Sequence, residues 1–384
     1  MEHTTKPQGD AFDLCILGGG LAGLALSIQV ADAGFRVALF EKESYPFHRV
    51  CGEYISMESY PFLQRLGLDL DGMGLPRIGR LQVTAPDGTS LSQELGLGGF
   101  GISRYRLDES LAGLATRKGV RLFTGTRVED ASYGDEGFQV FTSAARFHAR
   151  AVAGCFGKRS NLDLRWKRPF AMKKPRPIDN LIGVKYHVAH DMPKDLIALH
   201  NFDGGYCGMS AVEDGMYCLC YLTTAENLRT SGNSIPKMEK SILMRNPFLA
   251  EVFRKAHFLR SQPVTISQVG FQRKGPVNGH VLYIGDAAGM ITPLCGNGMS
   301  MALHGSLLAA KRLVAFLEGR IGREEMEEGY TRDWSAHFDL RLKAGRSLHA
   351  LFGKERLTGW ALRVLKPMPP VTRTLIGWTH GKPF

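Results

Sequence analysis

Three glycines near the start of the chain have the spacing of a loop that binds a phosphate group. Gly18, Gly20 and Gly23 form a G-x-G-x-x-G motif between the apolar run 12–17 and a long uncharged stretch. The first glycine permits a tight turn, the second lets the backbone approach a pyrophosphate, and the third allows a helix to pack closely on a strand. The N-terminus of the following helix would supply amide donors and a partial positive charge.

An acidic residue follows at the distance that a dinucleotide site requires. Glu41 ends a second apolar run, 36–41, and lies 18 residues after Gly23. A carboxylate at this position accepts hydrogen bonds from the ribose hydroxyls of an adenosine. The two runs, the glycine turn and the acid together predict dinucleotide binding, but they do not distinguish NAD from FAD.

A second glycine-rich segment distinguishes them. The apolar run 281–284 leads into Gly285 and Asp286, and a loop containing Pro293 and Gly298 precedes a helix that we expect to end near residue 317. The chain here resembles the flavoprotein monooxygenase superfamily, and within it the geranylgeranyl reductase branch and its halogenase-like relatives. The resemblance implies that Asp286 holds the ribityl chain of FAD, and that the helix N-terminus faces the ring edge where reduced flavin is negative.

Two further segments carry the same resemblance. It implies that Arg49 and the pair Cys51-Gly52 lie near the flavin, and that Arg104 in the pattern R-x-x-x-D-x-x-L lies near the diphosphate. In the alternative interpretation, Asp108 of that pattern only caps a helix and Arg104 is a surface base. The cofactor-binding residues that we predict are Gly18, Gly20, Leu21, Ala22, Gly23, Glu41, Lys42, Arg49, Cys51, Gly52, Arg104, Gly285, Asp286, Pro293, Gly296, Asn297, Gly298 and Met299.

Three residues are candidates for proton transfer. The resemblance brings the thiols of Cys51 and Cys295 to the flavin, where either could protonate a substrate carbanion after hydride transfer. Tyr206, at the start of the predicted strand 205–212, is a third candidate. Alternatively, all three are packing residues. Cys218 and Cys220 are close in sequence but lack partners at ligand spacing, so no metal site is expected.

The chain also departs from the family pattern. Phe156 stands where the hydroxylases carry an acid associated with flavin and NADPH, so the electron donor is either NAD(P)H or another reductant. Tyr206 lacks the tryptophan that often accompanies it in the reductases, which leaves the substrate class open. The tryptophan-halogenase motif W-x-W-x-I-P is absent, and halogenation is not expected. No His or Cys has a recognised attachment context, so FAD should bind noncovalently.

These motifs require an α/β protein. We predict a Rossmann-type FAD-binding domain of three layers (β-β-α), an antiparallel substrate-binding sheet and a C-terminal helical segment. Strands of the substrate sheet are predicted at 181–188, 196–202, 205–212 and 216–223, and residues 264–271 are a strand returning to the cofactor domain. The FAD-binding domain would comprise 10–80, 100–165 and 275–317, the sheet domain 81–99 and 166–274, and the helical segment 318–384.

Composition is ordinary for a globular protein, but the charge is uneven. The 384 residues are 44% hydrophobic and 22% charged, and seven scattered cysteines indicate reduced thiols in a cytoplasm. The net charge of +11 comes mainly from two patches, 165–176 and 340–384. No basic and aromatic platform recurs along the chain, so nucleic-acid binding is not expected.

The C-terminal patch surrounds an amphipathic helix. Its apolar residues recur at helical spacing, namely Leu357, Trp360, Ala361, Val364 and Leu365, with Lys354, Arg356, Arg363 and Lys366 around them. One interpretation is a terminal helix packed on the body with a solvated basic face. The other is contact with an anionic membrane surface or an acidic carrier protein, which would place the protein peripherally on the inner face of a membrane.

The resemblance implies an FAD-dependent oxidoreductase that acts on a bulky, largely apolar small molecule, such as a prenyl, polyketide or aromatic compound. We predict reduction of a carbon–carbon double bond. Hydroxylation of an aromatic or polyketide substrate through a flavin hydroperoxide is the alternative. A third possibility is a flavin-bound, membrane-peripheral binding protein without turnover. The Cys51-Gly52 context favours reduction, whereas the superfamily at large favours hydroxylation.

Overall fold

The computed structural model describes residues 8–173, 180–351 and 355–384. Lys174 and Arg176 of the first basic patch and Lys354 of the second lie outside these ranges. The strands are β1 (Gln8–Leu17), β2 (Val37–Phe40), β3 (Tyr54–Ser56), β4 (Arg77–Thr84), β5 (Ser90–Gly101), β6 (Arg121–Phe123), β7 (Val128–Gly134), β8 (Gly137–Thr142), β9 (Arg146–Gly154), β10 (Leu181–Ala189), β11 (Leu196–Phe202), β12 (Gly205–Ala211), β13 (Tyr217–Thr224), β14 (His257–Phe258), β15 (Val264–Val269), β16 (Val277–Asn278) and β17 (Val281–Tyr283). The helices are α1 (Leu21–Asp32), α2 (Tyr60–Leu66), α3 (Arg104–Arg117), α4 (Asn161–Arg165), α5 (Ala225–Thr230), α6 (Ile235–Ser241), α7 (Pro247–Lys255), α8 (Gly298–Leu317), α9 (Arg323–Leu351), α10 (Glu355–Leu365) and α11 (Pro369–Gly377).

The first sheet is built around β1, whose residues from Leu14 to Leu17 are fully buried. Strand β1 pairs in parallel with β2 and β9, which extend the sheet in parallel to β6 and β17. The hairpin β7–β8 joins antiparallel through β8. Helix α1 packs against α3 and α8, and residues of these helices share one core with the parallel strands. The strands are therefore buried and read as continuous apolar runs. The predicted Rossmann-type α/β class is confirmed.

The second sheet has the order β14-β10-β13-β12-β11-β4-β5-β3, with β15 also paired to β10. Neighbouring strands are antiparallel except β11 and β4, which run parallel. The predicted strand at 264–271 ends at Val269 and pairs with β10, so it belongs to this sheet rather than leading straight back to the first. Strand β3 and the start of β4, which fall within the segment 10–80, also pair here. The domain boundaries themselves stay a prediction.

The two faces of the second sheet have different surroundings. Side chains of one face, among them Met209 and Tyr221, form a core with Met238 of α6 and Leu249 of α7. Helices α10 and α11 cover part of the opposite face, where Leu362 packs with apolar residues of β4 and β5. One face is therefore closed by a solid core, and the other is available to a ligand.

Helix α10 packs by only part of the stripe that its sequence suggests. Thr358 and Leu362 are buried, whereas Trp360 and Val364 of the predicted apolar face are exposed. Hydrophobic periodicity defines an apolar stripe but not the surface that covers it. Ala361 and Leu365 of the predicted stripe line the cavity together with Leu362, whereas Trp360 and Val364 face outward. Within the described ranges, no helix combines the length and hydropathy needed to cross a bilayer.

Candidate functional site

A cavity of about 1440 Å³ lies between the two sheets and is closed at one end by α10 and α11. Sites for single small ligands typically measure about 300–1,000 Å³. The volume is therefore sufficient for more than one small molecule. Both glycine-rich segments and the exposed face of the second sheet line it.

The first glycine motif has the geometry of a phosphate-binding turn. Gly18 has a φ of +110°, and a Cβ there would lie 2.6 Å from the carbonyl oxygen of Cys155. A Cβ at Gly23 would lie 2.1 Å from the Gly18 oxygen, so Gly23 allows the close packing of α1 on the turn. Helix α1 begins after Gly20 without a side-chain cap and without an acid in its first turn. Its free N–H groups therefore suit an anionic phosphate.

The second motif presents another helix N-terminus to the same cavity. A turn from Pro293 ends at Gly296, with a φ of +64°, and leads into the 20-residue helix α8. Asn297 at the N-cap makes no capping hydrogen bond, and the first turn again lacks an acid. Two uncapped N-termini of long helices thus face one cavity, which suits a ligand that is anionic at two places. The residues fit FAD.

The structure brings nearly all predicted cofactor residues together. Of the residues predicted to bind the cofactor, the following line the cavity: Gly18, Gly20, Leu21, Ala22, Glu41, Lys42, Arg49, Cys51, Gly52, Arg104, Gly285, Asp286, Pro293, Gly296, Gly298 and Met299. Gly23 is behind the turn, in the packing position described above. Asn297 is not in the lining: it is buried, and its Nδ2 donates to the carbonyl oxygen of Thr379 over 2.6 Å. Its contact ties α8 to the C-terminal segment instead.

Four charged residues form a continuous ion-pair chain behind the glycine turn, namely Glu41, Arg49, Asp108 and Arg104. Glu41 accepts from the Gly19 amide at 3.0 Å and from Arg49 at 2.9 Å. Arg49 also pairs with buried Asp108 at 3.1 Å, and Arg104 donates twice to the same carboxylate at 2.7 Å. The chain fixes Glu41 at the end of β2, where a ribose would bind.

The capping role considered for Asp108 is wrong. Ser103 caps α3 and accepts from the Arg106 amide at 3.1 Å, which leaves Asp108 one turn further along. Its carboxylate is fully buried between the two arginines. Arg104 is also no surface base. Its side chain is only 12% exposed, and its guanidinium lies beside the glycine turn, with Nη2 3.6 Å from where a Cβ on Gly20 would be.

Sequence reasoning missed a buried cluster beside this chain. Glu53 accepts from the Arg104 amide at 2.7 Å, is ion-paired with Lys185, and lies 2.6 Å from His187 Nε2. Burial opposes ionisation of Glu53, but the hydrogen bond from His187 and the charge of Lys185 hold its pKa below the usual value. Lys185 and His187 alternate within an otherwise apolar strand, β10. Two basic residues on one face of a strand that is otherwise apolar could have indicated a buried acidic partner.

Ligand-type atoms of Glu53, His187 and Cys218 lie within 4.8 Å of one another. The Lys185 ammonium already compensates the carboxylate and would repel a cation at this point. We therefore interpret the group as an ion cluster that joins β10 to the loop preceding β3.

All three candidates for proton transfer line the cavity. Cys51 is half-buried on the loop before β3, and Cys295 is buried in the turn before α8. Burial raises the pKa of Cys295 to about 11, although its hydrogen bond with Thr292 acts the other way. Burial also raises the pKa of Tyr206 well above its usual value. Cys295 and Tyr206 thus keep their protons at neutral pH, as a proton donor requires.

Phe156, which replaces the acid of the hydroxylases, has an aromatic environment. Its ring packs against Tyr283 and Trp166, with centroids 5.9 and 6.2 Å apart. Nearby, Lys274 donates to the carbonyl oxygens of Lys158 and Asp286 at 2.6 and 2.8 Å. Burial lowers the pKa of Lys274 to about 8. Lys274 thereby braces the segment that carries Asp286, a contact that the sequence did not indicate.

Away from the glycine motifs, the cavity continues as an apolar arm between the second sheet and helices α10 and α11. It is lined mainly by aliphatic side chains: Leu81, Val83, Leu91, Leu95, Ile197, Leu199, Ala361, Leu362, Leu365, Leu375 and Ile376. An aliphatic lining favours an apolar ligand, because it offers little to compensate a desolvated polar group.

The glycine turn, the two helix N-termini and the shared cavity define a flavoprotein of the two-sheet type. The FAD binding domain family matches residues 11–338, and the chain belongs to this family. It is an FAD-dependent oxidoreductase.

Individual relatives are distant. The chain is 24% identical over 359 residues to conditioned medium factor receptor 1 of Dictyostelium discoideum, which covers 85% of this chain and 68% of the relative. It is 23% identical over 332 residues to digeranylgeranylglycerophospholipid reductase 1 of Methanothermobacter thermautotrophicus, covering 82% and 80%. Among solved structures, the myxobacterial chondrochloren halogenase superposes with a TM-score of 0.74 at 19% identity, covering 85% and 79%. That likeness shows the fold.

We expect Asp286→Ala to lose most of its FAD. A charge-assisted hydrogen bond to a buried hydroxyl contributes about 1.5–3 kcal/mol, which corresponds to a roughly 10- to 150-fold higher Kd. Flavin content after purification and titration of the apoprotein with FAD would measure the effect. Asp135→Ala, in the exposed turn between β7 and β8, is the control. Unchanged affinity in Asp286→Ala would exclude the role, and wild-type protein that takes up no FAD would contradict the site as a whole.

We expect Glu53→Gln to lower the free energy of unfolding by about 3–5 kcal/mol, because it leaves the Lys185 ammonium buried without its partner. Adding Lys185→Met should recover part of the loss. Since the folded pKa of Glu53 is depressed, its contribution is complete above the unfolded pKa of about 4.3 and disappears as pH falls further.

Wild type and Glu53→Gln should therefore converge at acid pH, as measured by thermal unfolding at several pH values. Glu226→Gln breaks an exposed pair with Arg229 and is the matched control, for which no resolvable change in the unfolding midpoint is expected because solvent screens the pair. A wild-type midpoint for Glu53→Gln at neutral pH would show that the cluster does not stabilise the fold.

Proposed function

We propose that the protein reduces a carbon–carbon double bond in a bulky, largely apolar small molecule. The apolar arm is the observation that carries this proposal. It continues directly from the part of the cavity lined by Cys51, Cys295 and Tyr206, and its walls are aliphatic. A long apolar chain in this arm would present one of its double bonds beside three protonated or protonatable groups. The name of the methanogen relative, a reductase of a digeranylgeranyl lipid, supports the same substrate class.

Reduced FAD supplies a hydride when it is bound. The chain contributes the rest of the reaction. The aliphatic walls hold the alkene and exclude water, and the N-terminus of α8 stabilises negative charge beside it. A thiol or phenol would transfer its proton to the second alkene carbon, so that the saturated product gains one hydride and one proton, and the thiolate or phenolate left behind would take a proton from solvent after product release. An external two-electron reductant, either NAD(P)H or another donor, must then restore the reduced cofactor.

The test uses holoprotein reduced chemically without oxygen, so that it does not depend on the natural donor. A polyprenyl alcohol should reoxidise the flavin and gain two hydrogen atoms, as followed by visible absorbance and mass spectrometry. The fully saturated alcohol of the same length is the control and should leave the flavin reduced. No reoxidation by any prenyl, polyketide or aromatic alkene would overturn the proposal.

Hydroxylation is the second candidate, and the same holoprotein tests it. If reduced protein leaves the alkene unchanged without oxygen but inserts an oxygen atom when oxygen is admitted, the protein is a monooxygenase. Phe156 bears on this choice only through the electron donor. In the hydroxylases an acid associated with NADPH stands at this position, and here an aromatic side chain replaces it.

We expect Cys51→Ser to keep its flavin but to lose at least tenfold in the rate of substrate reduction, about 1.4 kcal/mol of barrier. The thiol is half-buried on the loop before β3 and lines the cavity, where a bound cofactor and a substrate would meet. Cys220→Ser, which alters another half-buried thiol in the same cavity, is the control and should retain activity. Full activity in both Cys51→Ser and Cys51→Ala would assign Cys51 to packing, and loss of flavin in both would assign it a structural role.

A further inference from the structure

Helices α10 and α11 form a wall with two apolar sides. The inner side lines the apolar arm with residues such as Leu362, Leu365 and Ile376. The outer side also carries large apolar side chains, and they are exposed: Trp360, Val364, Met368, Val371 and Trp378. Trp360 and Trp378 are 60% and 54% exposed, which is unusual for the largest apolar side chain.

From residue 357 to the C-terminal residue 384, the charges are of one sign. Residues 357–384 contain four Lys or Arg and no Asp or Glu. Lys366 and Arg373 are exposed and have no ion pair in the described part of the chain, whereas Arg363 pairs with Asp87 of the β4–β5 turn. Exposed tryptophans among unpaired cations match the interfacial zone of an anionic bilayer, where aromatic rings enter the headgroup region and cations meet lipid phosphates.

We propose that the outer side of α10 and α11 docks on an anionic lipid bilayer, and that the apolar arm takes its substrate from that membrane. The second part rests on the proposed function. The first part needs only the exposed residues described above. If the wall docked on a bilayer, only the thickness of one helix would separate the lipid from the apolar arm. An apolar substrate could then move from the membrane into the arm with little exposure to water, which is unfavourable for apolar surface.

Holoprotein is floated with vesicles of phosphatidylglycerol or of phosphatidylcholine at low and high salt. We expect binding to the anionic vesicles at low salt, weakened at least tenfold by high salt or by Trp360→Ser with Trp378→Ser. The control for the tryptophans is Leu164→Ser with Leu259→Ser, which removes two apolar residues exposed elsewhere. Lys366→Glu with Arg373→Glu should also abolish binding, whereas Lys237→Glu with Lys240→Glu on α6 should not.

Insertion is measured separately with lipids brominated in their acyl chains, which quench tryptophans that enter the bilayer. The chain has four tryptophans, and Trp334 is buried while Trp166 is half-buried. Quenching should therefore disappear in Trp360→Phe with Trp378→Phe. No binding to anionic vesicles at low salt, or equal binding by the Trp360→Ser, Trp378→Ser protein, would overturn the docking proposal, and binding only to an acidic carrier protein would overturn it as well.

The two proposals fail in different ways. Each protein is assayed with an alkene dispersed in detergent and with the same alkene in vesicles. If docking is wrong but the proposed function holds, the rate with vesicles divided by the rate in detergent will be the same for wild type and for the tryptophan variant. If the proposed function is wrong, vesicle binding and quenching will remain while no alkene is reduced in either form. The expected result is a variant that matches wild type in detergent and is at least tenfold slower with vesicles.

Discussion

Ionisation of Glu53 in the interior is the constraint on which the arrangement of the two sheets depends. Its carboxylate binds Lys185 and His187 of the second sheet and the backbone amide at the start of α3. From α3, the ion-pair chain continues to the glycine turn of the first sheet. A buried charge is tolerated only when it is compensated on every side. The contacts that compensate Glu53 therefore also connect the second sheet to α3, and through the ion-pair chain to the glycine turn.

The two arms of the cavity rely on different physical interactions. At the cofactor end, α1 and α8 present backbone amides at uncapped N-termini, and the glycines before them leave room for a ligand to approach. In the apolar arm, side chains of the sheet and of α10 and α11 make the surface, and shape and desolvation determine what fits. The cofactor end suits one particular cofactor, whereas the shape of the apolar arm can change by substitution of single side chains.

Local motifs made the cofactor end predictable from the sequence. A glycine turn between two apolar runs, or a Gly-Asp pair before a helix, fixes its own geometry within about ten residues. The cluster around Glu53 could not be found in this way, because it joins residues 132 and 134 positions apart. The orientation of α10 was not predictable either, since its stripe of apolar residues is compatible with burial against protein or with exposure.

The alternation of β12 has a consequence for how substrate range can change during evolution or in the laboratory. Gly208 and Ser210 line the cavity, while Cys207 between Tyr206 and Gly208 belongs to the opposite core. A Cβ on Gly208 would meet its nearest neighbours at 3.6 and 3.8 Å, so the methyl group of an alanine fits there in ordinary van der Waals contact. At Gly183, by contrast, a Cβ would lie 2.9 Å from Val50. An added methyl group that narrows the cavity is thus accepted at Gly208, whereas at Gly183 the side chain of Val50 would have to shift, so changes of cavity shape by single substitutions are expected at Gly208 first.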